Sequence, residues 1–376
     1  MQAPAVEARE RLIFEYGHPV ACSTTGGLGE GRSRFHAGHG RGFGPIFPLH
    51  FLTSHLSPLT RRLSQAPYNL SRLSYRIDTA STDTETAFQL TLSPAMPKYG
   101  IHAFTLNGFW DNQIAPKVIA EAAELGFDHL EIPVLRPDEF DSATVAKALA
   151  QNKIAAVGSL CLPKDAHLPF NPKGALQFLK TAVDRVSDFG GKQLLGCLYC
   201  NLGTLTKAPP TADELRKCAE VLADLRSYAG PKGVTLGIEP VNRYETYLCN
   251  TGADATSLIR ATGADDIVIH FDTYHMNIEE DSFSGALQKA GKLAGYIHMS
   301  ESHRGLPGEG TVEWDDVFAG LKAANYTGPL VLEAFAAINP DLIGATCLWR
   351  KSRYQPRELA VKGLQFLKDK VAQHGL

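Results

Sequence analysis

No stretch of the sequence approaches the roughly 18 to 20 uninterrupted apolar residues that a membrane-spanning helix requires, so no span is expected. Strong charge of either sign is missing as well. A net charge of -3 offers no broad basic field for nucleic-acid phosphates or anionic lipid, and leaves a small molecule as the expected partner, with neither nucleic acid nor membrane. The usual phosphate and nucleophile signatures are absent. There is no Walker loop and no G-x-S-x-G elbow. Phe104-Thr-Leu-Asn-Gly-Phe-Trp110 is not the Gly-rich turn that opens a doubly wound nucleotide-binding sheet. Cysteine is sparse and odd in number: seven thiols scattered over 376 residues make no disulfide framework, which points to a reducing, cytoplasmic compartment. Cys197-Leu-Tyr-Cys200 has C-x-x-C spacing, but no second ligand pair follows it, so these two are read as packing residues at a strand end.

Lysine is missing from residues 1–95, which carry nine Arg and seven acids, and are therefore +2 against -5 for the rest. Ser, Thr, Gly, His and Pro are frequent there and no helical or strand period is sustained, so this segment is expected to be a poorly structured N-terminal extension. Many Arg and Ser without Lys suit an organellar import signal, but Glu7, Glu10 and Glu15 oppose it; a start at Met96 with an upstream extension is the alternative.

What is present begins at Lys98: short apolar runs alternate with helical patterns of about 10 to 15 residues. Eight strands are expected, at Tyr99–Phe104, His129–Val134, Ile154–Leu160, Gln193–Leu198, Val234–Glu239, Ile267–Asp272, Ala294–His298 and Leu330–Phe335. Amphipathic segments lie between them at Ile114–Leu125, Ala143–Gln151, Lys173–Phe189, Ala212–Ala229 and Trp314–Ala324, with a closing helix at Pro356–Gln373. Asp141-Ser142 and Thr211-Ala-Asp-Glu214 supply N-cap chemistry, and Gly126, Gly190-Gly191 and Gly263 supply helix stops. The composition, 44% hydrophobic and 20% charged, suits a sizeable core. The alternation predicts an α/β fold, a (β/α)₈ TIM barrel over residues 96–376.

In such a barrel chemistry sits where strands end. Four successive strand candidates end in ionisable residues: Val234-Thr-Leu-Gly-Ile-Glu239, Ile267-Val-Ile-His-Phe-Asp272, Leu293-Ala-Gly-Tyr-Ile-His298 and Leu330-Val-Leu-Glu333. Their separations of 33, 26 and 35 residues are one βα unit each, which brings four side chains to one rim. Three carboxylates and an imidazole brought together without a cation would cost several kcal/mol per unpaired charge. A divalent metal removes that cost, and this donor set suits Mn²⁺, Mg²⁺, Co²⁺ or Zn²⁺. One ion is expected, and the donor set by itself leaves its identity open among these four. Any one of the four alone would be read as a cap or salt-bridge partner.

From Lys98-Tyr-Gly-Ile101 to the final helix the sequence resembles the D-tagatose 3-epimerase / D-allulose (D-psicose) 3-epimerase family of the xylose-isomerase-like sugar phosphate isomerase/epimerase superfamily. The resemblance rests on Leu125-Gly-Phe-Asp-His-Leu-Glu-Ile132, Ile238-Glu-Pro-Val-Asn-Arg-Tyr-Glu-Thr246 with Asn250-Thr251, and Asp272-Thr-Tyr-His-Met276. It also includes His298-Met-Ser-Glu-Ser-His-Arg304 with Pro307-Gly308 and Trp314, and Leu332-Glu-Ala-Phe335. The first strand departs from the family, with His102-Ala-Phe-Thr-Leu106 where aromatic residues are frequent.

The resemblance implies Glu239, Asp272, His298 and Glu333 as metal ligands, Glu239 and Glu333 as the acid/base pair, and His275, Arg304 and Glu245 as substrate contacts. It implies C3 epimerisation of a free ketose, of the D-tagatose, D-fructose/D-allulose or L-ribulose type, by a homodimer or homotetramer. The chemistry is coherent: two carboxylates on opposite faces of C3 can remove a proton and return one from the far side, while a metal stabilises the enediolate. An aldose–ketose isomerase or inosose-type dehydratase would keep the same site. A DNA-repair endonuclease of this barrel type would need more metal ligands and a basic face, and a non-catalytic metal- or sugar-binding barrel would have no use for both glutamates. Phe109 and Trp110 are expected to wall the sugar pocket or to pack. Pro307-Gly-Glu-Gly310 is expected to be a turn at the mouth, and Glu279-Glu280-Asp281 a solvated loop face.

Overall fold

In the computed structural model of the chain the described residues are 97–336, 343–344 and 347–376, together with the backbone of four short strands nearer the N-terminus. The chain divides into two compact units, Met1–Ala95 and Met96–Leu376. In the first, Glu10–Ile13, Pro19–Cys22, Arg76–Ile77 and Phe88–Gln89 pair in one four-stranded sheet. The remainder of that unit, on which the expectation of a poorly structured extension falls, lies outside the described residues.

In the second unit eight strands close into a parallel barrel in sequence order: β1 Tyr99–His102, β2 His129–Pro133, β3 Ala155–Cys161, β4 Gln193–Cys197, β5 Thr235–Ile238, β6 Val268–Asp272, β7 Ala294–Met299 and β8 Leu330–Leu332. Leu330, Val331 and Leu332 pair with Tyr99, Gly100 and Ile101 to complete the ring, which removes any open edge. Eight helices alternate with the strands: α1 Ala115–Glu124, α2 Ser142–Asn152, α3 Pro172–Asp188, α4 Ala212–Ala229, α5 Gly252–Ala261, α6 Phe283–Ala290, α7 Trp314–Ala323 and α8 Pro356–His374. The α/β barrel expected from periodicity is therefore the fold observed.

The helix signals act locally as the sequence suggests. The Asp141 carboxylate accepts the Thr144 N–H at the start of α2, and Thr211 and Glu214 form a reciprocal capping box on α4. Gly126, past the end of α1, takes φ +87°, a left-handed conformation that costs an L side chain energy. Apolar faces such as Val118, Ile119 and Ala122 of α1, or Leu179, Ala182, Val183 and Val186 of α3, are buried in one continuous core. A separate small cluster, Val157, Leu195, Tyr296 and Val331, joins β3 and β4 to β7 and β8. A side chain at Gly100 would meet the His129 ring at 2.4 Å, so glycine makes room for that imidazole. Among the described residues no helix is long and apolar enough to cross a membrane.

Several boundaries differ from expectation: the last strand, expected over Leu330–Phe335, stops at Leu332, and short helices follow β1 and β6. Tyr99–Phe104 was too long for the first strand: the chain turns into a short helix, Ala103–Leu106, because His102 Nδ1 accepts the Phe104 N–H and caps it. After β6, the Asp272 carboxylate caps a second short helix, Thr273–Glu279.

Candidate active site and metal centre

The rim of the barrel gathers the four expected residues. Glu239 lies one residue past β5, Asp272 ends β6, His298 is the penultimate residue of β7, and Glu333 follows β8. Asp272 pairs in register with His298, so these two stand side by side on neighbouring strands. Ligand atoms of Glu239, Asp272 and His298 all lie within 4.8 Å of one another. Glu333 Oε2 is 3.3 Å from His298 Nδ1, which brings the fourth residue to the same point.

His298 shows how the cluster is set. Its Nε2 lies 2.6 Å from Glu131 Oε2, inside the barrel. Its Nδ1 is buried, 3.3 Å from Glu333 Oε2 and 3.9 Å from Asp272 Oδ2, and makes no hydrogen bond of regular geometry among the described residues. A carboxylate that accepts from one imidazole nitrogen fixes the tautomer and leaves a lone pair on the other, the arrangement found behind metal-ligating histidines. That unpartnered nitrogen and the carboxylates around it fit a divalent cation.

Electrostatics reflect the crowding. Burial pushes the Glu239 carboxyl well above the ordinary carboxylate range, with Asp272 and Glu333 adding to the shift. Burial also raises Asp272, to about 6, against the opposing pull of Arg304. Burial acts on Glu333 in the same sense, but His298 and Arg304 together outweigh it and hold Glu333 well below its usual value.

Arg304 is the cation of this cluster. Its Nη1 donates to Asp272 Oδ2 at 2.5 Å, to Ser300 Oγ at 2.9 Å and to Glu333 Oε2, while Nη2 lies 3.1 Å from His275 Nε2. The guanidinium stacks over Tyr274, 3.8 Å from the ring centroid. Its backbone takes φ 57°, a strained value for arginine that the loop enforces. The enforcing group is Glu301, whose carboxylate accepts from the Ser302, Gly308 and Val312 N–H groups and from Trp314 Nε1. The turn at Pro307–Gly310 is thereby tied to the mouth.

His275 accepts the Asn242 N–H on Nδ1, and Asn242 Nδ2 donates to Glu245 Oε1 at 2.8 Å. Burial raises the Glu245 carboxyl to about 7. Glu239, Glu245, His275, His298, Arg304 and Glu333 all line one cavity of about 100 Å³, whose opposite wall includes Phe104, Pro133, Leu135 and Leu202.

Three residues of this site were not anticipated as functional: Glu131, His102 and Asn242. Glu131 could have been noticed as an acid within Leu130-Glu-Ile132, flanked by buried neighbours on both sides. Phe109 and Trp110 line a neighbouring cavity of about 420 Å³ rather than the catalytic one. Cys197 and Cys200 are buried free thiols, and Cys197 also lines the cavity. Of the expected solvated face at Glu279–Asp281 only Asp281 is exposed: the Glu279 side chain is 5% exposed and takes a two-pronged bond from Arg243, and Glu280 accepts the Gly252 N–H. Those acids brace the loops after β5 and β6.

Fold and site together define an α/β barrel with a cluster of three carboxylates and an imidazole at the C-terminal ends of its last four strands. Residues 119–370 match the xylose isomerase-like TIM barrel family, and the chain belongs to it. An L-ribulose 3-epimerase of Methylomonas sp. is 34% identical over 283 residues, 74% of this chain and 99% of that protein. A D-psicose 3-epimerase of Agrobacterium fabrum is 28% identical over 262 residues, 67% of this chain and 90% of that one. The crystal structure of a D-allulose 3-epimerase from Methylomonas sp. in complex with D-allulose superposes with TM-score 0.70 at 34% identity, over 73% of this chain and 97% of that one.

Proposed function

We propose that this protein is a metal-dependent ketose 3-epimerase acting on free ketoses of the D-tagatose, D-fructose/D-allulose or L-ribulose type. The observation that carries the proposal is the convergence of Glu239, Asp272 and Glu333 on the unpartnered Nδ1 of His298, in a chain whose near full-length relatives are named as epimerases of ketoses at C3.

Glu239, Asp272, His298 and Glu333 would hold one divalent ion, Mn²⁺ first, with Co²⁺ or Mg²⁺ as alternatives. When bound, that ion supplies positive charge for the oxygen anion that develops as a proton leaves carbon. Glu239 and Glu333 come from β5 and β8 with two strands between them, so they address C3 from different sides: one removes its proton, the other returns one to the far face. Arg304 and His275 hold substrate hydroxyls, and Glu245 contacts the substrate on the same side. Glu131 keeps His298 in the tautomer that points Nδ1 at the ion. Residues 96–376 are the catalytic domain, assembled as a homodimer or homotetramer, and its free thiols suit the cytoplasm.

The test is incubation of purified protein, with Mn²⁺ or Co²⁺, against a panel of free ketoses with chromatographic separation of products. C3 epimers are expected. An aldose would point to an isomerase and a dehydrated product to a dehydratase. A chain starting at Met96 is expected to keep turnover and most of its thermal stability in the same assay and a melting scan. Loss of soluble protein would make residues 1–95 structural.

A further inference from the structure

Two residues before Asp272, β6 carries a second imidazole that the epimerase reading does not use. His270 is wholly buried and, among the described residues, neither of its ring nitrogens has a hydrogen-bond partner. It stands edge-on to Tyr296, with centroids 4.9 Å apart, and to His298 at 4.1 Å, and its Nδ1 is 3.8 Å from Glu239 Oε2. An unsatisfied buried polar group costs on the order of 1–3 kcal/mol, and here both nitrogens of one ring are unsatisfied beside the reaction chamber. Ligand atoms of Glu131, His270 and His298 all lie within 4.8 Å of one another.

We propose that Glu131, His270 and His298 form an inner metal site, adjacent to the mouth cluster, that takes an imidazole-preferring transition-metal cation of the Zn²⁺ class. The donor sets of the two sites differ in kind. The mouth offers three carboxylates and one imidazole, which suits Mn²⁺ or Mg²⁺; the inner site offers two imidazoles and one carboxylate, the set that open zinc sites use.

His298 can serve both because its nitrogens face opposite ways: Nδ1 faces Asp272 and Glu333, and Nε2 faces Glu131. Binding at the inner site replaces the proton shared between Nε2 and Glu131, which leaves to solvent, and moves those two atoms apart from 2.6 Å to the roughly 3.3 Å that neighbouring ligands of a tetrahedral ion keep. Entry is from the catalytic cavity, where Glu131 and His298 are both part of the wall. With the mouth alone loaded, Glu131 orients His298; with both loaded, it becomes a ligand.

The experiment compares metal content. Full-length protein stripped with a chelator is dialysed against Zn²⁺ or against Mn²⁺, freed of excess ion, and assayed by mass spectrometry of metal per chain. His270→Leu is expected to retain one zinc fewer per chain than wild type and the same manganese. Equal zinc in wild type and variant overturns the proposal, whatever the absolute number, because the ion would then be held elsewhere. Where His270→Leu does not fold, His270→Gln serves, with unchanged manganese content as proof that the mouth is intact. Visible absorption of the Co²⁺-loaded forms gives an independent reading: wild type should show a band from four-coordinate cobalt that the His270 variant lacks, and identical spectra would again overturn the site. The readout is metal content, so failure of the epimerase reading would appear in the ketose panel and leave this count unaffected.

Discussion

The two halves of the barrel mouth are built of different material. Strands β5 to β8 and their loops contribute Glu239, Glu245, Asp272, His275, His298, Arg304 and Glu333, nearly all buried and bonded to one another. The cavity wall above β1 to β4 is mostly apolar, with Phe104, Pro133, Leu135, Leu160 and Leu202, and opens beside the larger chamber that Phe109 and Trp110 line. In the proposed reaction charge is concentrated where a metal and a developing anion would need it, and a low-dielectric wall opposite would strengthen each interaction there. The first half does the chemistry in this account and the second selects what fits.

Substitutions can break that division. Glu239→Gln and Glu333→Gln keep the shape of the charged half and remove one base each, so turnover should fall by about 10²- to 10⁴-fold with metal still bound. Steady-state assays with metal content measured alongside give the answer.

The next effect is on stability. The Glu245 carboxyl is raised from 4.5 to about 7 by burial, so the fold favours its protonated form. That contribution is fully present below the unfolded value and is lost as pH rises through the folded value. Metal-free wild type should therefore lose stability relative to Glu245→Gln between pH 4.5 and 7, by roughly 3 kcal/mol, and the gap should level off above that window. Paired melting curves across pH measure it.

Glu131→Gln removes the carboxylate behind His298 and should weaken manganese binding about 10- to 100-fold, as read by titration calorimetry. The smallest effect belongs to the apolar wall. Leu135→Ala should leave kcat for a good ketose within about tenfold and alter the ratio of kcat/KM between pentuloses and hexuloses, since one apolar contact discriminates by only about 1–3 kcal/mol. A loss as large as that of the glutamate variants would erase the contrast between the halves.

What the sequence disclosed follows the same line. Glu239, Asp272, His298 and Glu333 each close an apolar run at an interval of one βα unit, so periodicity marked the strands and their ends marked the site. Glu131 and His270 sit inside apolar runs, Leu130-Glu-Ile132 and Ile267-Val-Ile-His-Phe-Asp272, where alternation along a barrel strand turns them inward. Only closure of the barrel, which brings β2 opposite β6 and β7, turns them into a polar centre. Asn242 was hidden for a related reason: its partners His275 and Glu245 meet it through a loop whose path is set by Arg243 on Glu279. The helix Thr273–Glu279 escaped because Asp272 was read only as a strand-end ligand, whereas its Oδ1 also caps the Tyr274 N–H.

The claim that two glutamates serve two faces of one carbon is tested most directly by isotope exchange. Glu333→Gln and Glu239→Gln, each loaded with Mn²⁺, are incubated in D₂O with a ketose that the wild type epimerises, and deuterium at C3 is followed by NMR together with epimer formation. The account predicts that at least one variant exchanges C3–H slowly with solvent while forming no epimer, because one face is still served. Epimerisation by either variant at close to the wild-type rate, with metal bound, would contradict it.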